Sequence, residues 1–227
     1  MTQAKHILAI ETATQVCAVA LLRDSILIAE TRIHIRNIHA RQITQSIDQV
    51  LKTLDMEIKD VDALAVSIGP GSFTGLRIGL ALAKGLAMPH DIPVIPVPTF
   101  AALALQAPVL NGIVCPLLKA KADEYFAALY EKEMTELCII KEVTVIKRTE
   151  LATFLPSPGL LIGHVADLPD SEHWQKAPES FNLTSAYSCG LVAEKIWPTL
   201  ELPDLDTLEP TYYQDFIAGK PRNIPSI

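Results

Sequence analysis

The four cysteines of this 227-residue chain lack the spacing of a disulfide framework or of a zinc site. Cys17, Cys115, Cys138 and Cys189 are scattered, with no C-x-x-C pair and no pair of histidines nearby. Such cysteines are typical of the reduced core of an intracellular protein. The amino terminus also lacks the layout of a signal peptide. We therefore expect a protein of the cytoplasm.

Long uncharged runs are also missing, although the chain is rich in apolar residues. Hydrophobic residues make up 49% of the chain, and the mean hydropathy is +0.27. Arg77 and Lys84 interrupt the best candidate for a membrane span, which needs about 18 residues. Surplus apolar surface instead favours a buried subunit interface. The net charge of −7 argues against a basic domain that binds nucleic acid by itself, but it leaves open a complex whose partner holds the nucleic acid.

The most distinctive stretch is a glycine-rich turn between a buried strand and a helix. An apolar run at residues 63–68 predicts the strand, and the pattern from the turn to Met88 predicts the helix. Ser72 or Thr74 can cap this helix by accepting a hydrogen bond from one of its free N–H groups. The helix is apolar or small nearly all round, and one side carries a strip of small residues four positions apart: Gly75, Gly79, Ala83 and Ala87.

A strip of small residues allows the backbone of another helix to approach closely. Two interpretations remain open: a helix enclosed within its own domain, or a helix that pairs with another protein. Because one side of the helix must lie on its own sheet, we expect the strip to face outward. On that hypothesis, Gly79→Arg would abolish pairing and leave the monomer mostly folded.

The periodicity of apolar residues predicts the order β-β-β-α-β-α-β-α for an amino-terminal lobe, residues 1–108. Three strands with short links over residues 7–35 predict an antiparallel meander. This order is that of the actin-like (ribonuclease-H-like, ASKHA) fold, an α/β class. Residues 109–227 predict a smaller α/β lobe with an extended tail. Its strands are expected near residues 113–118, 125–130, 138–146 and 160–163, and a helix over residues 185–197.

The residues that an enzyme of this fold would need are missing from the predicted positions. An ATPase or kinase needs an aspartate and a glycine-bearing turn after the first strand, where this chain has Glu11-Thr12-Ala13-Thr14. A nuclease needs several carboxylates at strand ends to hold two metal ions, whereas the fourth strand ends in Gly69. The glycine turn has backbone N–H groups at a helix start, a common anion site, but lacks the lysine of a phosphate-binding G-x-x-x-x-G-K-[ST] loop.

These absences predict a degenerate member of an ATPase-like fold that binds rather than catalyses. No catalytic residue and no metal site is predicted. Glu11, Thr12 and Thr14 are the candidate remnant of a phosphate loop.

Several stretches together resemble the bacterial TsaB (YeaZ) family. They are Ile7-Leu8-Ala9-Ile10-Glu11-Thr12-Ala13-Thr14, Cys17-Ala18-Val19-Ala20-Leu21 and, above all, Gly69-Pro70-Gly71-Ser72-Phe73-Thr74-Gly75-Leu76-Arg77-Ile78-Gly79. The glycine segment is close to a signature of that family. Weaker landmarks follow at Pro98-Thr99-Phe100-Ala101-Ala102-Leu103 and Pro210-Thr211-Tyr212-Tyr213.

The resemblance implies a two-lobed actin-like protein without catalysis of its own. It implies work with the catalytic homologue TsaD and the ATPase TsaE to make threonylcarbamoyladenosine at adenosine 37 of tRNAs that read codons starting with A. TsaD would transfer the threonylcarbamoyl group, and this chain would supply a scaffold surface. No intrinsic cofactor is implied, since ATP or ADP would bind only at the interface of the complex. Contact with tRNA would be indirect, and none with a membrane is expected.

The same resemblance places the partner surface on the two amino-terminal helices, where such proteins also form homodimers. In this sequence they are a helix over residues 39–54 and the small-residue helix after the glycine turn. The candidate interface residues are His39, Arg41, Gly75, Leu76, Arg77, Gly79, Leu80 and Ala83.

The chain departs from the family pattern at two positions, and two alternative functions stay open. The family usually has aspartate where Glu11 stands, and its second lobe has an aspartate where Lys119 stands; only Glu124 carries over there. One alternative function is an autonomous ATPase or kinase of the same fold. A peptidase is the other, although neither a metal-binding histidine pair nor a nucleophile–base arrangement is visible.

Overall fold

The computed structural model describes residues 5–34, 39–155 and 158–213, with the backbone alone for residues 39–41. The side chains of His39 and Arg41, and the predicted tail beyond residue 213, lie outside the described residues. The strands and α-helices follow in the order β1 (His6–Glu11), β2 (Val16–Arg23), β3 (Ile26–His34), α1 (His39–Lys52), β4 (Ala63–Gly69), α2 (Phe73–Ala87), β5 (Val94–Pro98), α3 (Thr99–Leu105), β6 (Asn111–Lys121), β7 (Glu124–Glu133), β8 (Glu136–Lys147), α4 (Leu151–Phe154), β9 (Gly159–Gly163), β10 (Trp174–Lys176) and α5 (Ala186–Ile196).

The first sheet confirms the element order predicted for residues 1–108. Its strands lie in the order β3-β2-β1-β4-β5, and β1, β2 and β3 form the predicted antiparallel meander. β4 pairs in parallel with β1, for example at Ile10 and Val66, and β5 pairs in parallel with β4. Strand β5 contains prolines and lies at the edge of the sheet, as expected for a strand with missing N–H donors.

The second sheet has the strand order β10-β9-β6-β7-β8. β6, β7 and β8 are antiparallel, while β9 pairs in parallel with β6 and with β10. The predicted strands of this half are confirmed, and β6, β7 and β8 extend further than the apolar runs indicated. The short elements α4 and β10 were not predicted. Helix α5 matches the helix expected over residues 185–197.

Helices cover both faces of the first sheet. On one face α1 and α2 enclose a core that includes Leu8, Ile10 and Leu80. On the other face α3 and α5 enclose a core that includes Ile7 and Val192. Central strands covered on both sides are apolar nearly throughout, which explains the continuous apolar runs of β1 and β4. Helix α5 comes from the carboxyl-terminal half of the chain, yet it packs on this first sheet; the boundary at residue 108 stays a prediction.

The cysteines agree with the predicted reduced core in three of four cases. All four are free thiols; Cys17, Cys115 and Cys189 are buried, whereas Cys138 is exposed on β8. Burial raises the pKa of Cys17 to about 11, and the nearby Glu11 adds to the shift. Buried thiols with raised pKa values are poor nucleophiles, so their role is packing.

A buried lysine joins the second sheet to helix α3. Lys132 on β7 donates hydrogen bonds to the carbonyl oxygens of Leu105 and Ala107, at 2.6 and 2.7 Å. These carbonyl groups lie at the end of α3, where the helix has no further N–H donors of its own. Burial lowers the pKa of Lys132, and the two carbonyl contacts compensate part of the loss of water.

The segment after α5 returns to the first core. Leu208 is 9% exposed and belongs to the same apolar cluster as Leu8 and Leu80, with Leu205 partly buried beside it. The carboxyl-terminal segment is therefore part of the fold rather than an appendage.

We predict that Leu208→Ala lowers the free energy of unfolding by about 2–3 kcal/mol, because it leaves a cavity in the first core. The matched control is Leu202→Ala, since Leu202 is 44% exposed and should change stability by less than about 0.5 kcal/mol. Urea denaturation followed by circular dichroism measures both. Equal effects of the two substitutions would contradict the placement of the segment.

Candidate functional site

The glycine turn ties helix α2 to the loop after β1. Ser72 is the cap of α2, as predicted: its Oγ accepts a hydrogen bond from the backbone N–H of Gly75 at 3.2 Å. The backbone N–H of Ser72 donates to the carbonyl oxygen of Ala13 at 2.6 Å. In addition, the hydroxyl of Thr12 donates to the carbonyl oxygen of Gly75 at 2.8 Å. The first turn of α2 thus lies directly on residues 12–13.

The glycines of this turn are required by that close approach. A Cβ atom at Gly71 would clash with the carbonyl oxygen of Ala13, and one at Gly75 with the carbonyl oxygen of Thr12. A Cβ atom at Gly79 would clash with the Thr12 hydroxyl oxygen. The turn at Gly71 and the backbone of α2 at Gly75 and Gly79 therefore need residues without side chains.

The prediction that the small-residue strip faces outward is wrong. Gly75, Gly79, Ala83 and Ala87 are all buried within the chain itself. The physical reason is that α2 must approach Thr12 and the sheet closely, and only its small side permits this. The candidate interface residues Leu76 and Leu80 are buried on the same side, at 1% and 4% exposure; Arg77 is exposed.

The outward side of α2 is a different set of residues. It presents Thr74, Arg77, Ala81, Gly85 and Met88, which all lie exposed within one face of the helix. A Cβ atom at Gly85 would meet nothing within 4 Å. The outward face defined by these five residues is thus small and flat at Ala81 and Gly85, with Met88, 60% exposed, at one end. Whether a partner binds it stays a prediction.

Helix α1 lies beside α2 on the same face of the first sheet. The helix predicted over residues 39–54 is confirmed, and four of its residues are buried against the first core: Ile43, Ile47, Val50 and Leu51. Leu54, the last residue of the predicted helix, lies beyond the end of α1 and is exposed. The exposed side of α1 carries Thr44, Gln45, Asp48 and Gln49.

The three candidate phosphate-loop residues come together but point into the protein. Glu11 and Thr12 are fully buried, and Thr14 is half-buried. Thr12 binds α2, as described, and the Thr14 hydroxyl lies 2.9 Å from that of Thr184, just before α5. The loop after β1 therefore holds α2 and the start of α5 in place, and the backbone of α2 covers it.

Glu11 is a buried carboxyl group with one oxygen unsatisfied. Its Oε1 accepts a hydrogen bond from the backbone N–H of Ala13 at 2.6 Å, while Oε2 has no hydrogen-bond partner among the described residues. Burial raises the pKa of Glu11 to about 7, although the Ala13 bond and the nearby hydroxyls of Ser67 and Thr184 act to lower it. Glu11 is thus protonated in a large share of molecules near neutral pH, unlike an exposed loop carboxylate.

Lys119, which departs from the family pattern, lines a cavity of about 290 Å³ in the second half of the chain. Its backbone N–H donates to Nδ1 of His164 at 2.9 Å, and its Nζ lies 3.8 Å from a carboxylate oxygen of Asp167. Tyr125 completes the polar lining. Across residues 5–34, 39–155 and 158–213, no three His, Cys, Asp or Glu side chains lie close enough to hold a metal ion.

Sequence analysis missed the contact between Arg77 and the carboxyl-terminal segment. Nε of Arg77 donates to the hydroxyl of Tyr212 at 2.9 Å, and the guanidinium carbon lies 3.9 Å from the centre of the Phe73 ring. The only sequence signal was the Pro-Thr-Tyr-Tyr landmark, which carries no information about its partner.

The helices in the described ranges are also too short or too polar to cross a membrane.

The comparisons with known proteins agree with this architecture. The structure of YeaZ from Pseudomonas aeruginosa superimposes with a TM-score of 0.79, over 92% of this chain and 99% of that one, at 24% identity. The family model described as "TsaD: tRNA N6-adenosine threonylcarbamoyltransferase" matches residues 33–194. The predicted actin-like fold is therefore confirmed, and the chain is of the class that includes these transferases.

Sequence relatives narrow the class. The tRNA threonylcarbamoyladenosine biosynthesis protein TsaB of Bacillus subtilis is 31% identical over 168 residues, which is 71% of this chain and 72% of that protein. TsaB of Escherichia coli is 35% identical over 64% of each chain. The chain belongs to the TsaB (YeaZ) family.

We predict opposite effects of the same substitution at two glycines of α2. Gly79→Ala should lower the free energy of unfolding by about 1–3 kcal/mol, because the added methyl group clashes with Thr12. Gly85→Ala should raise it by up to about 1 kcal/mol, because alanine favours a helix and the site is open. Urea denaturation of both variants measures this. If Gly79→Ala were neutral, the inward packing of the strip would be wrong, and the larger Gly79→Arg is now expected to prevent folding.

We predict that Glu11→Gln flattens the pH dependence of stability. The folded-state pKa of about 7 lies above the ordinary value of 4.5, so the folded state keeps a proton that the unfolded state releases. The stability that Glu11 contributes is therefore complete below about pH 4.5 and is lost as the pH rises towards about 7, by about 3 kcal/mol in all.

Urea denaturation of the wild-type chain and of Glu11→Gln between about pH 5 and 7.5 measures this difference. The control is Glu209→Gln at an exposed carboxylate, which should keep the wild-type slope. Equal slopes for wild type and Glu11→Gln would show that Glu11 is ionised in the folded state.

Proposed function

We propose that this chain is a non-catalytic subunit in the synthesis of threonylcarbamoyladenosine in tRNA, acting in the cytoplasm. The B. subtilis and E. coli relatives are named for that biosynthesis, and membership of their family supports this part of the proposal. The observation that carries the non-catalytic role is the covered loop after β1. In an ATPase of this fold that loop faces the nucleotide phosphates, whereas here the glycine backbone of α2 lies on it.

The chemistry of the covered loop supports the same proposal. Its one carboxyl group, Glu11, is fully buried, and burial raises the pKa of this group to about 7. A metal–nucleotide site needs an ionised carboxylate that faces solvent. The loop residues instead bind the chain's own helices, so their role is structural. We propose no intrinsic cofactor; ATP or ADP would bind at an interface within the complex.

We propose that the chain acts by pairing with a TsaD-like transferase through the outward face of α2 and the adjoining side of α1. Ala81 and Gly85 let a partner helix approach closely, and Met88 supplies an adaptable apolar contact. This chain matches the TsaD family model. The match supports the proposed pairing, because the two partners would then have related folds. In the absence of TsaD the same face would form a homodimer, and the ATPase TsaE would join the assembled pair.

The net charge of −7 supports an indirect role for this subunit in tRNA binding. A surface that binds tRNA phosphates would carry several clustered basic residues, whereas the outward face has Arg77 with Lys84 partly exposed at its margin. We propose that TsaD supplies the tRNA contacts and the transfer chemistry, and that this chain stabilises it.

The proposed function predicts that Ala81→Arg weakens the complex with TsaD of the same organism by more than about tenfold, because the long charged side chain prevents close helix approach. Size-exclusion chromatography with light scattering, followed by titration calorimetry, measures this. Ala152→Arg is the matched control, since Ala152 is an exposed alanine on α4, and it should bind like wild type.

Two outcomes would contradict the proposed function. One is a wild-type chain that forms no complex with TsaD, together with normal threonylcarbamoyladenosine in the tRNA of a deletion strain. The other is ATP binding by the isolated chain in calorimetry, which would favour an autonomous ATPase. If the Ala81→Arg chain bound TsaD like wild type, the interface would not lie on the outward face of α2.

A further inference from the structure

We infer that the carboxyl-terminal segment, residues 208–213, positions the Arg77 guanidinium to bind a carboxylate of the TsaD-like partner. This inference rests on the proposed function and adds a specificity contact to it. Arg77 lies on the outward face of α2, so the contact would belong to the same interface as Ala81.

The segment is fixed where it passes the end of β4. The backbone N–H of Thr211 donates to the carbonyl oxygen of Ile68 at 2.8 Å, and Leu208 is buried in the first core. The carbonyl oxygen of Thr211 faces Gly69, where a Cβ atom would lie only 2.7 Å away. Gly69 also has a φ of +122°, which other residues rarely adopt. The backbone around Tyr212 is therefore held in one place.

The rings of Tyr212 and Phe73 contact each other, and the guanidinium group of Arg77 lies against both. The two ring centres are 5.0 Å apart, and the guanidinium carbon lies 3.9 Å from the centre of the Phe73 ring and 5.7 Å from that of Tyr212. The Tyr212 hydroxyl accepts the Nε–H of Arg77 at 2.9 Å. Cation–π contacts and this hydrogen bond fix a side chain that otherwise has many rotamers. Its orientation is thus set before a partner arrives.

The two terminal nitrogens of Arg77 remain available. Among the described residues, neither Nη1 nor Nη2 has a hydrogen-bond partner, and no carboxylate pairs with Arg77, although the chain has 26 acidic residues. In Arg77 the Nε–H is already hydrogen-bonded, whereas the terminal N–H groups are not. Such an arginine can bind a planar carboxylate, which accepts two parallel hydrogen bonds. A preoriented donor loses less entropy on binding.

The surroundings of Arg77 favour a protein carboxylate over a tRNA phosphate. Its neighbours on the outward face are Thr74 and Ala81, which are small enough to let a helix of another protein approach. Basic side chains in a row, which a nucleic-acid surface needs, are not found on this face in the described residues. Arginine is also enriched among the residues that contribute most of the binding energy of protein interfaces.

A double-mutant cycle tests the inference with the full chain and TsaD of the same organism. Arg77→Ala should weaken binding by about tenfold or more, and Arg77→Lys by nearly as much, because lysine cannot make the paired contact. Tyr212→Phe should weaken binding by about threefold to tenfold without change in Tm. In the Arg77→Ala background, Tyr212→Phe should have no further effect, since Tyr212 acts through Arg77.

The matched control is Tyr187→Phe, which removes the hydrogen bond that the Tyr187 hydroxyl donates to the carbonyl oxygen of Ser25. This substitution should leave TsaD binding unchanged. Additive effects of the two substitutions, or wild-type binding by Arg77→Ala, would overturn the inference while the proposed function stood. Normal TsaD binding with weakened tRNA binding by the assembled complex would assign Arg77 to a phosphate instead. Failure of the wild-type chain to bind TsaD would overturn the proposed function itself.

Discussion

The contact between the backbone of α2 and the loop after β1 is the constraint on which the rest of the structure depends. The Thr12 hydroxyl donates to the carbonyl oxygen of Gly75, the carbonyl oxygen of Ala13 accepts from the N–H of Ser72, and glycines at 71, 75 and 79 leave the necessary room. Because the small side of α2 is used in this contact, the opposite side faces solvent. The same contact buries Glu11 and Thr12. The packing of α2 therefore decides both which loop residues are buried and which residues of the helix face solvent.

The order of elements was predictable from the sequence because it depends on local periodicity. The alternation of apolar strands and helical stripes in residues 1–108 reproduces the observed order. Periodicity also placed Gly75, Gly79 and Ala83 on one side of α2. It contains no information on which side meets the sheet, since both sides of this helix are apolar or small. The prediction that the small-residue strip faces outward was therefore wrong.

The details of the candidate site depend on contacts between residues far apart in the chain. Glu11 ends an apolar strand, as a solvated loop carboxylate often does; only the tertiary structure buries it beside Thr184. Arg77 was predicted to be an interface residue, but its orientation depends on Tyr212, which the chain brings back after the second sheet and α5. Local patterns identify residue types suited to a role. They do not identify the distant groups that fix their protonation or direction.

The position of α5 has a consequence for how the chain folds during synthesis. This helix covers the face of the first sheet that includes Ile7, Ala65 and Ile95, yet it is translated after the entire second sheet. Amino-terminal units commonly fold as they leave the ribosome, but here α3 alone covers this face of the first sheet until α5 has been translated. The core on this face is therefore completed only after the second sheet has been translated, which ties the packing of the first sheet to the second half of the chain.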